Sequence, residues 1–177
     1  MTKKTEKSNQ EIQQSMYEQL HVIAERALKK ESPGHSLQPT LLVNDAVMRL
    51  LEQRNVDFAD RCQAMAAGAN IIRRLLVDYA RRRKAQKRGG SQQQNRGVSP
   101  AIIAGTARID IIELEDALES LARENPRLAE VVEQKVFGGM TGEEIAEYLK
   151  VSLTTVNSDW RYAKAWLARE LRSTESE

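Results

Sequence analysis

The stretch MTGEEIAEYLKVSLTTVNSDWRYAKAWL, residues 140–167, decides the interpretation of the second half of the chain. Thr141 and Glu144 match a capping box, the S/T-x-x-E pattern that starts a helix. A short helix is predicted over Gly142–Leu149, and Ser152 can cap a longer one after a brief turn. Two helices joined in this way are typical of a helix-turn-helix, whose second helix lies in the major groove of DNA. A plain helical hairpin with a polar outer face is the alternative.

Apolar residues on both helices favour the helix-turn-helix. Ile145 faces inward, and the small Ala146 allows the second helix to approach closely. Val151 fills the turn, and Val156 and Trp160 anchor the second helix. The opposite face of the second helix carries short polar groups and one arginine, which suit base edges and phosphates. These residues are Thr154, Asn157, Ser158 and Arg161.

Helices are also predicted before this stretch. Leucines recur every three or four residues across 114–121, which predicts one face of a helix. Asn125 followed by Pro126 predicts the start of the next helix, because proline lacks the N–H that the first turn leaves unpaired. That helix is expected to end at Gly138–Gly139.

Helical periodicity runs through the first half as well. The first predicted helix has one apolar face made of Ile12, Met16, Leu20, Ile23 and Ala27. After a loop over 31–38, a second helix is predicted to start at Pro39–Thr40, with Thr40 as its N-cap. A third is predicted to start near Asp60, which can cap it, and to stop by Gly89–Gly90.

The composition changes after the third helix. GGSQQQNRGVSPAIIAGTA, residues 89–107, is rich in Gly, Ser and Gln, which indicates a linker. We therefore predict an all-α fold of two small helical domains joined by a flexible linker. The domains are expected to span 10–88 and 110–172, with the linker over 89–109.

The end of the third predicted helix is strongly basic. IIRRLLVDYARRRKAQKRGG carries eight cationic side chains against one acid, Asp78. The cations are Arg73, Arg74, Arg81, Arg82, Arg83, Lys84, Lys87 and Arg88. Such a block attracts phosphate groups. A solvated helix end, whose cations suit the helix dipole, is the alternative, but it accounts for only about two or three charges.

Bulk properties exclude several classes of protein. The 177 residues are 41% hydrophobic with a net charge of +2, enough for packed cores without a whole-chain bias toward nucleic acid. The single cysteine, Cys62, excludes a disulfide within the chain and fits a reducing cytoplasm. No signal peptide or membrane span is predicted, because the N-terminus has no apolar core and no apolar run is long enough. No cofactor is predicted. No metal site is predicted either, because His21 and His35 have no Cys or acidic cluster beside them. An enzyme is not expected, because the sequence has no phosphate-binding loop and no nucleophile beside a base.

Three stretches together resemble the RNA polymerase sigma factors of the extracytoplasmic function (ECF) subfamily, in the sigma-70 family. LQPTLLVNDAVMRLL resembles the core-binding helix of sigma region 2, and IRRLLVDYARRRKAQKRGG resembles the end of that region. The segment from LEDALESLARENP to WRYAKAWL resembles region 4. The resemblance covers nearly the whole chain.

The resemblance implies a fold and a function. Region 2 would be a helical bundle that binds the β′ clamp helices of core RNA polymerase and opens the −10 promoter element. Region 4 would be a helix-turn-helix domain that binds the β flap and reads the −35 element. The implied partners are core RNA polymerase and promoter DNA, and an anti-sigma factor is left open. The implied location is the cytoplasm, at the nucleoid, without membrane insertion, and the polymerase supplies the catalytic residues.

The resemblance also assigns residues to each surface. The core-polymerase-binding helix carries Leu42, Asn44, Asp45, Met48 and Arg49. The −10 helix carries Asp60, Arg61, Asn70, Arg73, Arg74, Asp78, Arg81 and Arg82. The −35 recognition helix carries Thr154, Thr155, Asn157, Ser158, Arg161 and Lys164. Asp78 has an alternative role as an intrahelical partner of Arg74 or Arg82, each four residues away.

The chain departs from the ECF pattern at several positions. Asn44-Asp45 replaces the usual His-Glu, although one acid is kept. CQAMAAGAN replaces the usual aromatics after Asp60-Arg61, and weaker promoter melting is expected because aromatic faces hold unstacked bases. Lys150 takes the turn position usually held by glycine, where a positive φ would cost about 1 kcal/mol. Asn157-Ser158 replaces basic residues, which predicts weaker phosphate attraction and an unusual −35 sequence.

Two further functions stay open beside a working sigma factor. One is a helix-turn-helix regulator that binds DNA without polymerase. The other is a degenerate sigma-like protein that binds polymerase or an anti-sigma factor but opens no promoter. A regulator of the first kind usually reads two half-sites as a dimer, and the sequence has no heptad seam long enough to form one.

Overall fold

The computed structural model describes single residues between 14 and 25, together with residues 39–53, 55–57, 60–87 and 110–174. The described residues between 14 and 25 are helical. The helices that follow are α1 (Pro39–Leu51), α2 (Arg61–Lys87), α3 (Ile111–Glu124), α4 (Pro126–Val136), α5 (Gly142–Leu149) and α6 (Leu153–Thr174). No strand occurs in these ranges, and the all-α prediction is confirmed. The predicted linker over 89–109 lies outside the described residues, as do Ile12, Met16, Ile23 and Ala27.

Helix α1 packs one side against α2, and its other side is exposed. Its buried residues are Leu42, Val43, Ala46 and Leu50. The helix already includes Pro39, so the prediction that Thr40 is the N-cap is wrong. Thr40 lies inside the first turn instead, with its hydroxyl 3.3 Å from Nε2 of His21.

Helix α2 is the central element of the molecule. The Asp60 carboxylate accepts a hydrogen bond from the Gln63 backbone N–H at 3.1 Å, which confirms that the helix is capped at Asp60. It then runs for 27 residues to Lys87, before the predicted stop at Gly89–Gly90. It contacts α1 on one side and α3, α4 and α5 on another. Residues around most of its circumference are therefore buried: Cys62, Ala64, Met65, Ala66, Ala69, Ile71, Ile72, Leu75, Leu76 and Val77.

Helices α3 to α6 are delimited by local hydrogen bonds that the sequence largely predicted. The Asn125 side chain accepts from the Leu128 N–H at 3.3 Å, so it caps α4, with Pro126 in the first turn. The Asn125 backbone N–H also closes α3 by donating to the Leu121 carbonyl. Asp110 caps α3 through the Ile112 N–H, a cap that the sequence analysis did not identify.

The two sequence-predicted halves meet along α2. A Cβ placed on Gly138, after α4, would lie 3.3 Å from the Ala69 side chain of α2. Asn70 and Arg73 of α2 contact acidic residues of α3 and α4. The molecule therefore packs its basic helix against its second half.

Candidate nucleic-acid interface

The helix-turn-helix begins with a complete capping box. The Thr141 hydroxyl accepts from the Glu144 N–H at 3.2 Å, and the Glu144 carboxylate accepts from the Thr141 N–H at 2.8 Å. The helix that follows has the predicted bounds, Gly142–Leu149. Ile145 is fully buried, as predicted, and fixes this helix on the core.

The turn between α5 and α6 has a left-handed residue. Lys150 has φ 55° and ψ 43°, and its N–H donates to the carbonyls of Ala146 and Glu147. The Val151 N–H donates to Ala146 at 3.0 Å. These bonds satisfy the free carbonyls at the end of α5. The position where ECF sigma factors usually carry glycine therefore adopts the conformation that favours glycine.

The two helices approach each other closely at Gly142. A Cβ at this position would lie 2.8 Å from Cδ1 of Leu153, at the start of α6. Ala146, whose small side chain was predicted to allow close approach, is half-buried against the core. Ser152 caps α6 as predicted, because its hydroxyl accepts from the Thr155 N–H at 3.1 Å.

The outer face of α6 carries the predicted recognition residues. Thr154, Asn157, Ser158 and Arg161 are all exposed. Thr155 and Lys164 are half-buried. The Thr155 hydroxyl lies 2.8 Å from that of Ser152, so this side chain supports the helix start. The Lys164 amine lies 5.4 Å from the Trp160 ring centroid, within the range of a cation–π interaction.

Apolar residues farther along α6 hold it on the core. Val156, Ala163 and Leu167 are buried, while Trp160 packs against the core only in part. Polar contacts add to this anchoring. The Trp166 indole N–H donates to Glu124 of α3 at 3.2 Å.

Asp60 caps α2, and the other seven residues predicted for the −10 helix fall into two groups. Arg74, Asp78, Arg81 and Arg82 are exposed on the second half of α2. Arg61, Asn70 and Arg73 are half-buried, and each contacts an acidic residue of α3, α4 or α5. Within residues 60–87, no ion pair joins Asp78 to Arg74 or Arg82. The structure therefore brings only part of the predicted surface to solvent.

The chain was compared with models of known protein families. The model of the ECF sigma factor family matches residues 3–173. This chain belongs to the ECF sigma factor family. Members of that family are regulatory proteins that bind RNA polymerase and direct it to specific promoters. Searches among curated proteins and among solved structures found no significant match.

In this ECF sigma factor, α1 exposes most of the residues predicted to bind polymerase. Asn44, Asp45, Met48 and Arg49 are exposed, with Met48 at 61%. Leu42 is buried, whereas its neighbour Leu41 is 55% exposed. Leu51 is exposed as well.

Leu41 and Leu51 were not among the residues predicted for this surface. Buried positions 43, 46 and 50 fix the register of α1 and place 41, 44, 48 and 51 on the outside. That register was already readable from the apolar spacing of the helix. The polar neighbours on this side are tied locally, since Arg49 Nε lies 3.2 Å from Asp45 and the Tyr17 hydroxyl donates to Asn44 at 3.1 Å.

A charged pair orients α6 on the core of this sigma factor. Arg127 of α4 donates to both carboxylate oxygens of Asp159, at 2.7 and 3.3 Å. Asp159 is buried on the inner side of α6, and its hydrogen bond raises the pKa of Arg127. Because a planar guanidinium contacts both oxygens, the pair fixes the rotation of α6 as well as its distance from α4.

Buried titratable groups lie between α2 and the second half. Burial raises the pKa of the Cys62 thiol, and nearby Glu147 adds to the effect. Burial also raises the pKa of Glu133, although Arg73 and Asn70 act in the opposite direction. In the described residues, no group of three or more His, Cys, Asp or Glu side chains suits a metal ion. None of the helices described here is long and apolar enough to cross a membrane.

Proposed function

We propose that this chain is a working ECF sigma factor that uses α1 for core polymerase, α2 for the −10 element and α6 for the −35 element. The observation that carries this proposal is the outer face of α1. Leu41, Met48 and Leu51 are each more than half exposed on a 13-residue helix. Apolar side chains grouped in this way are typical of a protein-binding surface.

The polymerase contact is proposed to include apolar and polar parts. Leu41, Met48 and Leu51 would pack on the β′ clamp helices, with Asn44 and Asp45 at the edge. Leu42 supports this face from inside by packing on α2. The β flap is proposed to bind the second half of the chain.

The −35 contact is proposed to use the exposed face of α6. Thr154, Asn157, Ser158 and Arg161 form a short polar surface with one cation. Arg161 suits a phosphate or a guanine edge, and Asn157 suits an adenine edge. Because this face carries few cations, attraction to DNA phosphates is proposed to contribute only modestly to affinity. The −35 sequence that it reads is proposed to be unusual for the family.

The −10 contact is proposed to use α2. Arg74, Arg81 and Arg82 are exposed and suit phosphates, while Arg61, Asn70 and Arg73 become available only when α2 separates from the second half. Asp60 and Asp78 belong to the same proposed surface, and Asp60 also caps the helix.

One observation favours a second candidate, a sigma-like protein that binds polymerase but does not melt promoters. Residues 61–70 contain no aromatic side chain, and Cys62, Ala64, Met65, Ala66 and Ala69 are buried. The base-stacking platform usual in the family is therefore missing from this stretch.

Transcription with purified components tests these functions. The protein is mixed with core RNA polymerase and bacterial genomic fragments, and the 5′ ends of the transcripts are sequenced. New 5′ ends preceded by two spaced motifs are the expected result. Core binding without transcripts would support the second candidate. Failure to bind core RNA polymerase would overturn the sigma proposal. A DNA-binding regulator would then be the remaining hypothesis.

A further inference from the structure

An apolar side chain begins α6, beside the residues proposed to read DNA. Leu153 is the first residue of this helix and is 38% exposed. It is absent from the described residues that form the core or pack against it. The nearest valines, Val151 and Val156, are half-buried and buried. Anchoring of α6 on the core therefore does not explain why a leucine occupies this position.

Gly142, at the start of α5, sets the position of Leu153. A Cβ placed on Gly142 would lie 2.8 Å from Cδ1 of Leu153 and 3.7 Å from Oδ1 of Asn157. Leu153 and Asn157 are four positions apart, so they are neighbours on one edge of α6. Because glycine has no side chain, Leu153 can lie close to the backbone of α5. This contact holds the leucine beside Asn157.

The edge of α6 that carries Leu153 borders the face proposed to contact the −35 element. Asn157 belongs to both, and Thr154, next to Leu153, is also exposed. In helix-turn-helix proteins, the first residues of the second helix contact base edges in the major groove. Side chains four positions apart on a helix are about 5–6 Å apart, and successive base pairs are about 3.4 Å apart. Leu153 and Asn157 are therefore placed to contact base pairs one or two steps apart.

The chemistry of leucine favours one base. A leucine side chain neither donates nor accepts a hydrogen bond, and thymine is the base that presents an apolar group, its 5-methyl, in the major groove. Cytosine and guanine present polar atoms there, which would lose hydrogen bonds to water against a leucine. Packing on a thymine methyl instead removes apolar surface of both partners from water.

We infer that Leu153 is a further specificity-determining residue of the −35 contact, and that its side chain packs on the 5-methyl group of a thymine. Asn157 hydrogen-bonds an adenine one or two base pairs away, and Gly142 keeps the leucine in place. The −35 element of this chain accordingly contains two A·T pairs at this spacing. This inference rests on the proposed role of α6 in −35 binding.

Deoxyuridine tests the contact, because it differs from thymidine only by the missing 5-methyl group. Random-sequence duplexes are amplified with dTTP or with dUTP, and sequences that bind the full chain are selected with and without core RNA polymerase. The chain should enrich a motif with a thymine position in the first pool, and that position should lose its preference in the second. For the best sequence, replacing that one thymine with deoxyuridine should weaken binding by about fourfold, the effect of one buried methyl-sized group.

Leu153→Ala shows whether the leucine causes this preference. The variant should bind the thymine and the deoxyuridine duplexes equally well, because the alanine does not reach the methyl group. Tyr162→Ala is the matched control, since it removes another large exposed side chain from α6. It should keep the fourfold ratio. Gly142→Ala is a second test that retains the leucine. Its added Cβ displaces the Leu153 side chain and should bring the ratio close to one.

The outcomes separate this inference from the proposed function. An enriched motif that the uracil pool reproduces unchanged would overturn the inference and leave the role of α6 in place. A fourfold ratio that persists in Leu153→Ala would overturn it as well. If Leu153→Ala fails to fold, an unchanged ratio in Gly142→Ala has the same consequence. Enrichment of no sequence, with or without core polymerase, would overturn the proposed role of α6 and this inference with it.

Discussion

Lys150 is a non-glycine residue held in the left-handed region, at φ 55°. This conformation costs a residue with a Cβ roughly 1–2 kcal/mol. Glycine avoids that cost, but its backbone loses more entropy on folding, which lowers stability by about 0.5–1 kcal/mol. We expect Lys150→Gly to raise the free energy of unfolding by about 0.5–1 kcal/mol, measured by urea denaturation. Lys150→Ala is the control, because it removes the amine but keeps the Cβ. Equal stability of the two variants would show that the backbone at this turn is not strained.

Glu144 connects the capping box to the contact with α2. Burial acts to raise its pKa, but hydrogen bonds from Thr141 and Arg61 outweigh it, so the pKa of Glu144 is lowered. A carboxyl with a lowered folded-state pKa stabilises the fold above its unfolded value of about 4.3, and this stability is lost as the pH falls through the folded value.

Glu144→Gln tests that linkage, because glutamine retains the capping box and removes only the charge. We expect the variant to be less stable than the unmodified chain at pH 7, by no more than about 1 kcal/mol for this partly exposed pair. The difference should vanish in acid, once Glu144 itself is protonated. Chemical denaturation across this pH range measures it, with Glu143→Gln as a control in the same turn. A deficit that persists unchanged in acid would contradict the assignment.

At the scale of the element, α1 buries one face and exposes the other, and the proposed polymerase-binding surface is the exposed face. Met48 is 61% exposed and Leu42 is 3% exposed. We expect Met48→Asp to leave the melting temperature unchanged and to weaken core-polymerase binding by about tenfold or more, as loss of a central interface side chain does. Leu42→Ala should instead cost about 2–5 kcal/mol of stability, because it leaves a cavity under the helix.

A competition assay measures how well each variant binds core polymerase. Thermal unfolding measures the stability of each variant. If Met48→Asp bound core as well as the unmodified chain, the outer face of α1 would not be the polymerase-binding surface. The second half of the chain would then have to supply the main contact.

The proposed recognition face of α6 carries little positive charge. Asn157 is exposed in the position where the family usually has a basic residue. We expect Asn157→Lys to add one phosphate contact and to steepen the dependence of log K on log salt concentration by about 0.9. Ala165→Lys, at an exposed position farther along α6, is the matched control. Equal slopes for the two variants would show that this face does not approach the DNA backbone.

At the scale of the whole molecule, the sequence predicted what is decided locally. The caps at Asn125, Thr141 and Ser152 each depend on a residue three positions away, so their helices were found with correct starts. The exposed side of α6 followed from helical spacing in the same way. The left-handed turn at Lys150 was anticipated only through the ECF resemblance, because glycine usually holds this position in that family.

The contact between the halves depends on pairs distant in sequence and was not predicted. Arg73 and Glu133 are 60 positions apart, and a basic run alone favours nucleic acid over an internal acidic partner. The burial of α2 on two sides also hides its helical periodicity, since almost every apolar residue on it is covered. The error at Thr40 was of a smaller kind, because Pro39 and Thr40 were both acceptable starts for α1 and only the backbone distinguishes them.

Arg73 joins the two halves through Glu115 and Glu133. Replacing it with methionine keeps much of the apolar stem but leaves Glu115 and Glu133 buried without a cation. Removing one partner from a buried ion pair typically costs about 3–5 kcal/mol, so we expect Arg73→Met to lower the free energy of unfolding by an amount of this order. Urea denaturation at neutral pH measures it.

The pH dependence of that loss identifies its cause. Burial already raises the pKa of Glu133, and Arg73 opposes the rise, so the pKa of Glu133 should rise further in Arg73→Met. A carboxyl with a raised folded-state pKa is protonated more readily in the folded state. Stability therefore falls as the pH rises from the unfolded value of about 4.3 through the folded value. The deficit of Arg73→Met should accordingly be smaller at pH 5 than at pH 8, and adding Glu133→Gln should reduce both the deficit and its pH dependence. A deficit independent of pH, and unrelieved by Glu133→Gln, would mean that lost packing rather than an unpaired carboxylate causes the loss of stability.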